Sequence, residues 1–294
     1  MAEKDIAAIS RLLHAAAEAD GHLPLGEHKW LDLVHGGRPG FSGFVARDEH
    51  GRVVGYAQLS RGSDNWGLEF VVHPAYRAPE EHVGTDLVRA ALVEVASEGG
   101  GHVHLWVPQP DQQDDMIAAR NGLSRGRELL QMRRSLPVVG MESTIEVRAF
   151  RPGDDEEDWL GVNNRAFGWH PEQGAWDRET LDRREGEPWF DPEGFLVHEV
   201  DGSIAGTCWT KVHDDDPPIG EIYVISVDPE YQGRGLGREL VLAGLEHLAG
   251  HGIETGMLYV DALNAPATRL YKKLGFEVDH SDRAYVVDVP AAGP

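Results

Sequence analysis

Two periods of apolar residues alternate along this chain. In Gly237-Arg238-Glu239-Leu240-Val241-Leu242-Ala243-Gly244-Leu245-Glu246-His247-Leu248 the leucines fall at helical spacing, which predicts a helix. Between such stretches stand short runs rich in Val, Ile and Tyr, among them Phe70–Val72, Ile225–Val227 and Met257–Val260, which predict strands. The alternation predicts an α/β fold with an α+β mixed sheet.

The pattern occurs twice. Gly43-Phe44-Val45-Ala46 matches Gly194-Phe195-Leu196-Val197, and Gly51-Arg52-Val53-Val54-Gly55 matches Gly202-Ser203-Ile204-Ala205-Gly206. Phe70-Val71-Val72-His73-Pro74 matches Ile225-Ser226-Val227-Asp228-Pro229, His104–Val107 matches Met257–Val260, and Asn121-Gly122-Leu123 matches Leu274-Gly275-Phe276. The offset stays near 150 residues, too long for a solenoid and right for a duplicated domain. A boundary near Pro137-Val138-Val139-Gly140 predicts domains 1–140 and 141–294.

Composition changes this picture little. An apolar share of 41% supports a real core, and 294 residues suffice for two domains. No apolar run is long enough to span a bilayer and no N-terminal signal pattern is visible, so a cytoplasmic protein without a membrane partner is expected. The single cysteine, Cys208, excludes an internal disulfide. The net charge of -23 repels nucleic acid, so a nucleic-acid role is not expected. The acidic runs 154–158 and 214–216 read as solvated loops. No histidine pairing has zinc spacing, so no metal is expected; His35, His170 and His213 read as surface or buried polar residues. Trp169, Trp189 and Trp209 read as core packing or as the wall of a ligand site.

An acidic protein that binds an anion needs a local device. Val227-Asp228-Pro229-Glu230-Tyr231-Gln232-Gly233-Arg234-Gly235-Leu236-Gly237-Arg238 supplies one: a strand end, a glycine-rich turn and a helix start at about Gly237. Amides at Gly233, Gly235 and Gly237 can face phosphate oxygens at the helix N-terminus, with Arg234 and Arg238 adding charge. A glycine loop alone could be a plain turn or part of a dinucleotide fold. The dinucleotide reading fails because the loop follows several strands rather than the first.

Gln232-x-x-Gly235-x-Gly237 after a strand resembles the coenzyme A loop of the GCN5-related N-acetyltransferase (GNAT) family. Asn264-Ala265-Pro266-Ala267-Thr268-Arg269-Leu270-Tyr271 resembles that family's second signature. The resemblance implies two tandem GNAT-fold domains and acetyl-CoA as co-substrate. Its binding residues would be Ile225, Ser226, Val227, Gln232, Gly233, Arg234, Gly235, Leu236, Gly237, Arg238, Asn264, Ala265, Pro266, Ala267, Thr268 and Arg269.

The stretch 163–174, with Glu187–Pro192, Trp209–His213 and Gly220–Val224, resembles the mycothiol synthase family over nearly the whole chain. That implies acetylation of the cysteinyl amine of cysteinyl-glucosaminyl-inositol, a small-molecule acceptor; a monomer is expected. Glu221, expected on the strand just before the coenzyme strand, is then the base that takes the amine's proton, and it also contacts substrate. Tyr271 is the acid for the leaving thiolate, and the amide near Val227 holds the thioester oxygen. Read without the family, Glu221 is equally a surface carboxylate and Tyr271 a packed aromatic. Glu172, Lys211 and Tyr259 are candidate substrate residues. Glu27 is implied only by the resemblance; on sequence alone it is an ordinary exposed glutamate.

The first copy is degenerate. At the loop position stands Arg77-Ala78-Pro79-Glu80-Glu81-His82-Val83-Gly84, where Pro79 removes an amide and the glutamates repel phosphate. Ala118 stands where Tyr271 would be and no carboxylate matches Glu221, so no catalysis and little or no coenzyme binding is expected there. The competing readings are a tandem acetyltransferase for an antibiotic or peptide amine, and a non-catalytic coenzyme-binding module; the intact Glu221 and Tyr271 argue against the latter.

Overall fold

The structure is a computed structural model that describes residues 3–22, 24–25, 33, 40–62, 65–78, 81–168 and 176–293. It is an α/β protein of the expected mixed-sheet kind, with two compact units. The units are discontinuous in sequence: Met1–Leu129 with Ser281–Pro294, and Leu130–His280. The expected division at 140 follows the repeats; the compact units instead exchange chain ends.

The first unit holds α1 (Glu3–Asp20), β1 (Phe41–Arg47), β2 (Val53–Arg61), β3 (Trp66–Val72), α2 (Val83–Ser97), β4 (Gly101–Pro108) and α3 (Gln112–Arg120). The long strand β5 (Ser124–Ser135) starts in it. The final strand β11 (Glu277–Val289) completes it, running antiparallel to β4 from Asp282↔Pro108 to Val289↔Gly101. Helix α1 packs Ile9, Leu12 and Ala16 against Tyr56 and Val71 on one face. Helices α2 and α3 cover the other, with Leu87, Val88 and Ile117 against Leu59, Leu68 and Tyr285.

The second unit takes the end of β5, then β6 (Arg148–Ala149), α4 (Glu156–Ala166), α5 (Arg178–Glu185), β7 (Phe195–Val200), β8 (Ser203–His213), β9 (Ile219–Val227), α6 (Leu236–Gly250), β10 (Thr255–Asp261) and α7 (Ala265–Lys273). Its strand order is β5-β10-β9-β8-β7-β6. The leucine-rich stretch is α6, and Leu240, Leu242, Leu245 and Leu248 are all buried. They pack with α7 on one sheet face, while Trp159 of α4 and Leu181 of α5 pack on the other with Phe195 and Trp209. Close approach of α6 rests on Gly206 and Gly244: a Cβ on Gly244 would lie 2.5 Å from Cys208 Sγ, and one on Gly206 2.8 Å from Leu240 Cδ1.

The acidic run 154–158 is a correction. Asp155 and Glu156 are buried, not solvated. Arg148 grips Asp155 at 2.6 and 3.0 Å, and Arg178 meets Glu156 at 3.1 Å. The run opens α4, where the amides of Arg151 and Gly153, in the turn before the helix, and these guanidinium groups satisfy the carboxylates. Asp214–Asp216 are exposed, as expected. Among the described residues no helix is long and apolar enough to cross a membrane.

Candidate active site

Strand β9 is the spine of the site. Glu221 and Ile225–Val227 lie on this one strand, which corrects the expectation of two strands. The strand bends without breaking. Trp209 of β8 pairs with Val224, but Thr210 pairs with Ile222, so Tyr223 is an extra, bulged residue. Tyr223 and Val224 consequently both turn to the Trp209 side, whereas Ile222 and Ile225 pack under α6.

On the Trp209 side of the sheet, Glu221 stands directly across from Lys211. Glu221 is 7% exposed, and its Oε2 is 2.8 Å from His213 Nε2. Lys211 Nζ sits over Trp189, 4.5 Å from the ring centroid, and 5.8 Å from that of Tyr223. The Tyr223 hydroxyl accepts from Arg184 Nε at 3.1 Å. Burial raises the Tyr223 pKa, so the phenol stays neutral. A carboxylate, an ammonium, an imidazole and two aromatic faces thus line one patch, chemistry suited to hydrogen-bonding a polar small molecule. Trp209 itself is core, stacked on Phe195 at 4.4 Å.

Beyond Glu221 the sheet opens. Parallel strands β9 and β10 pair at Gly220↔Gly256 and Glu221↔Met257, and no further pair follows among the described residues. The Asp228 amide donates to Ala205 O at 3.0 Å, on the β8 side. By the twofold period of a strand, the amides of Ile225 and Val227 face the opposite edge, the gap toward β10. Unpaired amides on a sheet edge are ready donors for an extended ligand.

The gap leads to the glycine loop. Gly233 and Gly235 adopt φ of +74° and +86°, and a Cβ on either would meet nothing within 4 Å. The amides of residues 233–237 have no backbone acceptor among the described residues. Helix α6 starts at Leu236 with Gly235 as its N-cap, so these amides and the helix dipole share one end. A cavity of about 430 Å³ lies on the other flank of the loop, toward β7 and away from the gap, lined by residues that include Thr144, His198, Val200, Arg234 and Arg238. The competing carboxylate, Glu239, is occupied: Thr144 donates to it through N at 2.8 Å and Oγ1 at 2.9 Å, and Arg238 pairs with it.

Helix α7 brings the second signature. Asn264 caps it by accepting from the Ala267 amide at 3.2 Å, and Thr268 Oγ1 donates back to Asn264 O at 3.0 Å. Pro266 occupies the first turn, where no amide partner is needed. Tyr271 is 6% exposed and meets Phe276 edge to face at 5.9 Å. Burial, with a smaller push from Cys208, raises its pKa, so the phenol keeps its proton at physiological pH. Tyr259 of β10 shares the sheet face of Met257, and its hydroxyl accepts from Gln131 Nε2 at 2.7 Å.

The structure therefore gathers Lys211 and Glu221 at one patch and gives the loop of residues 232–238 the expected form. Glu27, Glu172, Pro79, Glu80, His35, Trp169 and His170 lie outside the described residues. Sequence reasoning did not select Arg184 or His213. Alternation along Lys211-Val212-His213, opposite Glu221, was the available signal for His213.

The corresponding place in the first unit differs. Ala118 is buried in the core, and His82, at φ +54°, precedes α2 where Gly235 precedes α6. A cavity of about 270 Å³ remains, lined in part by Phe70, Val72, Arg77 and Asp114. Its guanidinium at Arg77 is held by Asp20, at 2.5 and 2.8 Å. Burial pushes the Asp114 carboxyl up to about 6.

Residues 162–276 match the acetyltransferase (GNAT) family. A mycothiol acetyltransferase of Acidimicrobium ferrooxidans is 43% identical over 96% of this chain and 93% of its own. One from Thermobispora bispora is 45% identical over 92% of each. Among solved structures, a GCN5-related N-acetyltransferase from Sphaerobacter thermophilus aligns over 100% of this chain and 95% of its own, with a TM-score of 0.76 at 24% identity. A tandem GNAT protein from the clavulanic acid biosynthesis pathway covers 100% and 98%, with a TM-score of 0.71 at 19% identity. These two structures share the fold.

Proposed function

Because the chain belongs to the mycothiol acetyltransferase family, we propose that it moves an acetyl group from acetyl-CoA to the cysteinyl amine of cysteinyl-glucosaminyl-inositol, giving mycothiol and CoA. It is an N-acetyltransferase of the GNAT type. The observation that carries the mechanistic reading is strand β9, which holds a buried carboxylate, amides facing a gap and the entry to an open phosphate loop.

In this reading the pyrophosphate lies on the amides of 233–237, with Arg234 and Arg238 nearby. Ile225, Ser226 and Val227 run beside the pantetheine arm, and 264–269 close the other side. The Val227 amide donates to the thioester oxygen as negative charge develops there. Glu221 takes the ammonium proton, the freed amine attacks the carbonyl carbon, and Tyr271 protonates the departing sulfur. Lys211, Tyr259 and Glu172 contact the acceptor. The first unit does not catalyse: a buried alanine stands at the acid position and no carboxylate matches Glu221. The protein acts as a cytoplasmic monomer.

The test is acetyl transfer by purified protein to cysteinyl-glucosaminyl-inositol, followed by mass spectrometry and thiol release. One equivalent of CoA per N-acetylated product is expected. Acetylation of unrelated amines with this acceptor left untouched would refute the substrate assignment.

A further inference from the structure

Amide formation from an ammonium leaves a surplus proton. The C–N bond forms and the C–S bond breaks; nitrogen gives up two protons and sulfur gains one. In net balance one nitrogen proton replaces the one Tyr271 gives to sulfur, and the other must reach water. Glu221 is 7% exposed and has to be emptied before it can act again.

The fold provides one contact for that step. His213 pairs across the strands with Ile219, so it is the diagonal neighbour of Glu221. Its Nε2 lies 2.8 Å from Glu221 Oε2, the one side-chain hydrogen bond of Glu221 among the described residues. The imidazole side chain is 27% exposed against 9% for the carboxylate, and the exposed Asp214–Asp216 follow it. Lys211, directly opposite and over the Trp189 ring, is a donor with no acceptor to offer.

We propose that His213 is a positioning and relay residue for the base, the route by which the proton collected on Glu221 leaves the site. The imidazole accepts from the Glu221 carboxyl at Nε2 and releases a proton to water from Nδ1. Exchange with water at the exposed ring then restores the starting tautomer. The inference rests on Glu221 as the base.

Three variants test it with acetyl-CoA and the cysteinyl acceptor: His213→Ala, His213→Gln and Glu221→Gln. Glutamine at 213 can still donate to the carboxylate but cannot relay a proton. Both 213 variants should lose about tenfold or more in kcat, less than the roughly 10²- to 10⁴-fold of a direct general acid or base, with KM for each substrate within about twofold. Added imidazole should restore the alanine variant and leave Glu221→Gln unchanged. A glutamine variant at full rate, or an alanine variant deaf to imidazole while binding CoA normally, overturns the relay. If the alanine variant does not fold, the glutamine variant decides alone. Full activity in Glu221→Gln would instead overturn the base assignment beneath it.

Discussion

Gly235→Ala isolates the backbone geometry of the loop. Gly235 sits at φ +86° as N-cap of α6, and an added Cβ finds no atom within 4 Å. The whole effect is therefore conformational, about 1–2 kcal/mol for a non-glycine residue in the left-handed region. The loop can escape that strain only by rotating its peptides, which turns the amides of 233–237 away from a bound pyrophosphate. With about 1.4 kcal/mol per tenfold, CoA affinity should fall about 5- to 30-fold. Gly237→Ala is the contrast. Its Cβ would lie 3.8 Å from Val227 and 4.0 Å from Leu270, ordinary contact, and alanine favours the helix by about 0.5–1 kcal/mol. That variant should melt higher yet bind CoA more weakly, because the methyl occupies space the phosphates approach. Calorimetric titration of CoA and thermal melting read both quantities. A Gly235→Ala protein that melts lower but binds CoA like wild type would refute the loop as the phosphate cradle.

Other outcomes follow from the same geometry. Tyr271→Phe keeps the ring against Phe276 and should lower kcat about 10²- to 10⁴-fold, with CoA affinity and melting temperature little changed. Gly244→Ala should destabilise by about 1–3 kcal/mol, since its Cβ would fall 2.5 Å from Cys208 Sγ; adding Cys208→Ala should recover much of this, as a denaturation double-mutant cycle will read. Burial raises Asp114 from 3.8 to about 6, so the native state holds this proton more tightly than the unfolded chain. Its contribution to stability thus falls as pH rises from near 4 through about 6, and Asp114→Asn should raise the melting temperature at pH 7–8 while changing it little below pH 4.

The parts of this fold set by neighbours in sequence were legible from it. The leucine spacing of α6 and the paired glycines of the loop each reflect a local requirement, a buried helix face and a positive φ. What escaped depends on pairing across strands. The bulge at Tyr223 keeps β9 continuous through Glu221, yet nothing in Ile222-Tyr223-Val224 marks which residue is extra; the register with β8 decides it. Asp155 and Glu156 looked solvated because their partners, Arg148 and Arg178, are brought in by other elements. His213 is informative only once β8 and β9 lie side by side, since its partner is eight positions away along the chain.

The exchange of chain ends has a temporal consequence. Val103 and Leu105 of β4 wait for Val287 and Tyr285 of β11, nearly two hundred positions later in synthesis. Even the Ala96 carbonyl is met by the Ala292 amide, at 2.8 Å. A nascent first unit leaving the ribosome therefore carries an open sheet edge throughout translation of the second. Closing so long a loop is a slow, late event, and an unprotected edge invites intermolecular pairing in the interval. No single cut in the chain releases two self-sufficient pieces: a fragment ending at residue 140 lacks β11, and its complement lacks the strand that β5 lends to β10. Co-expression of the two fragments should yield soluble protein where either alone aggregates.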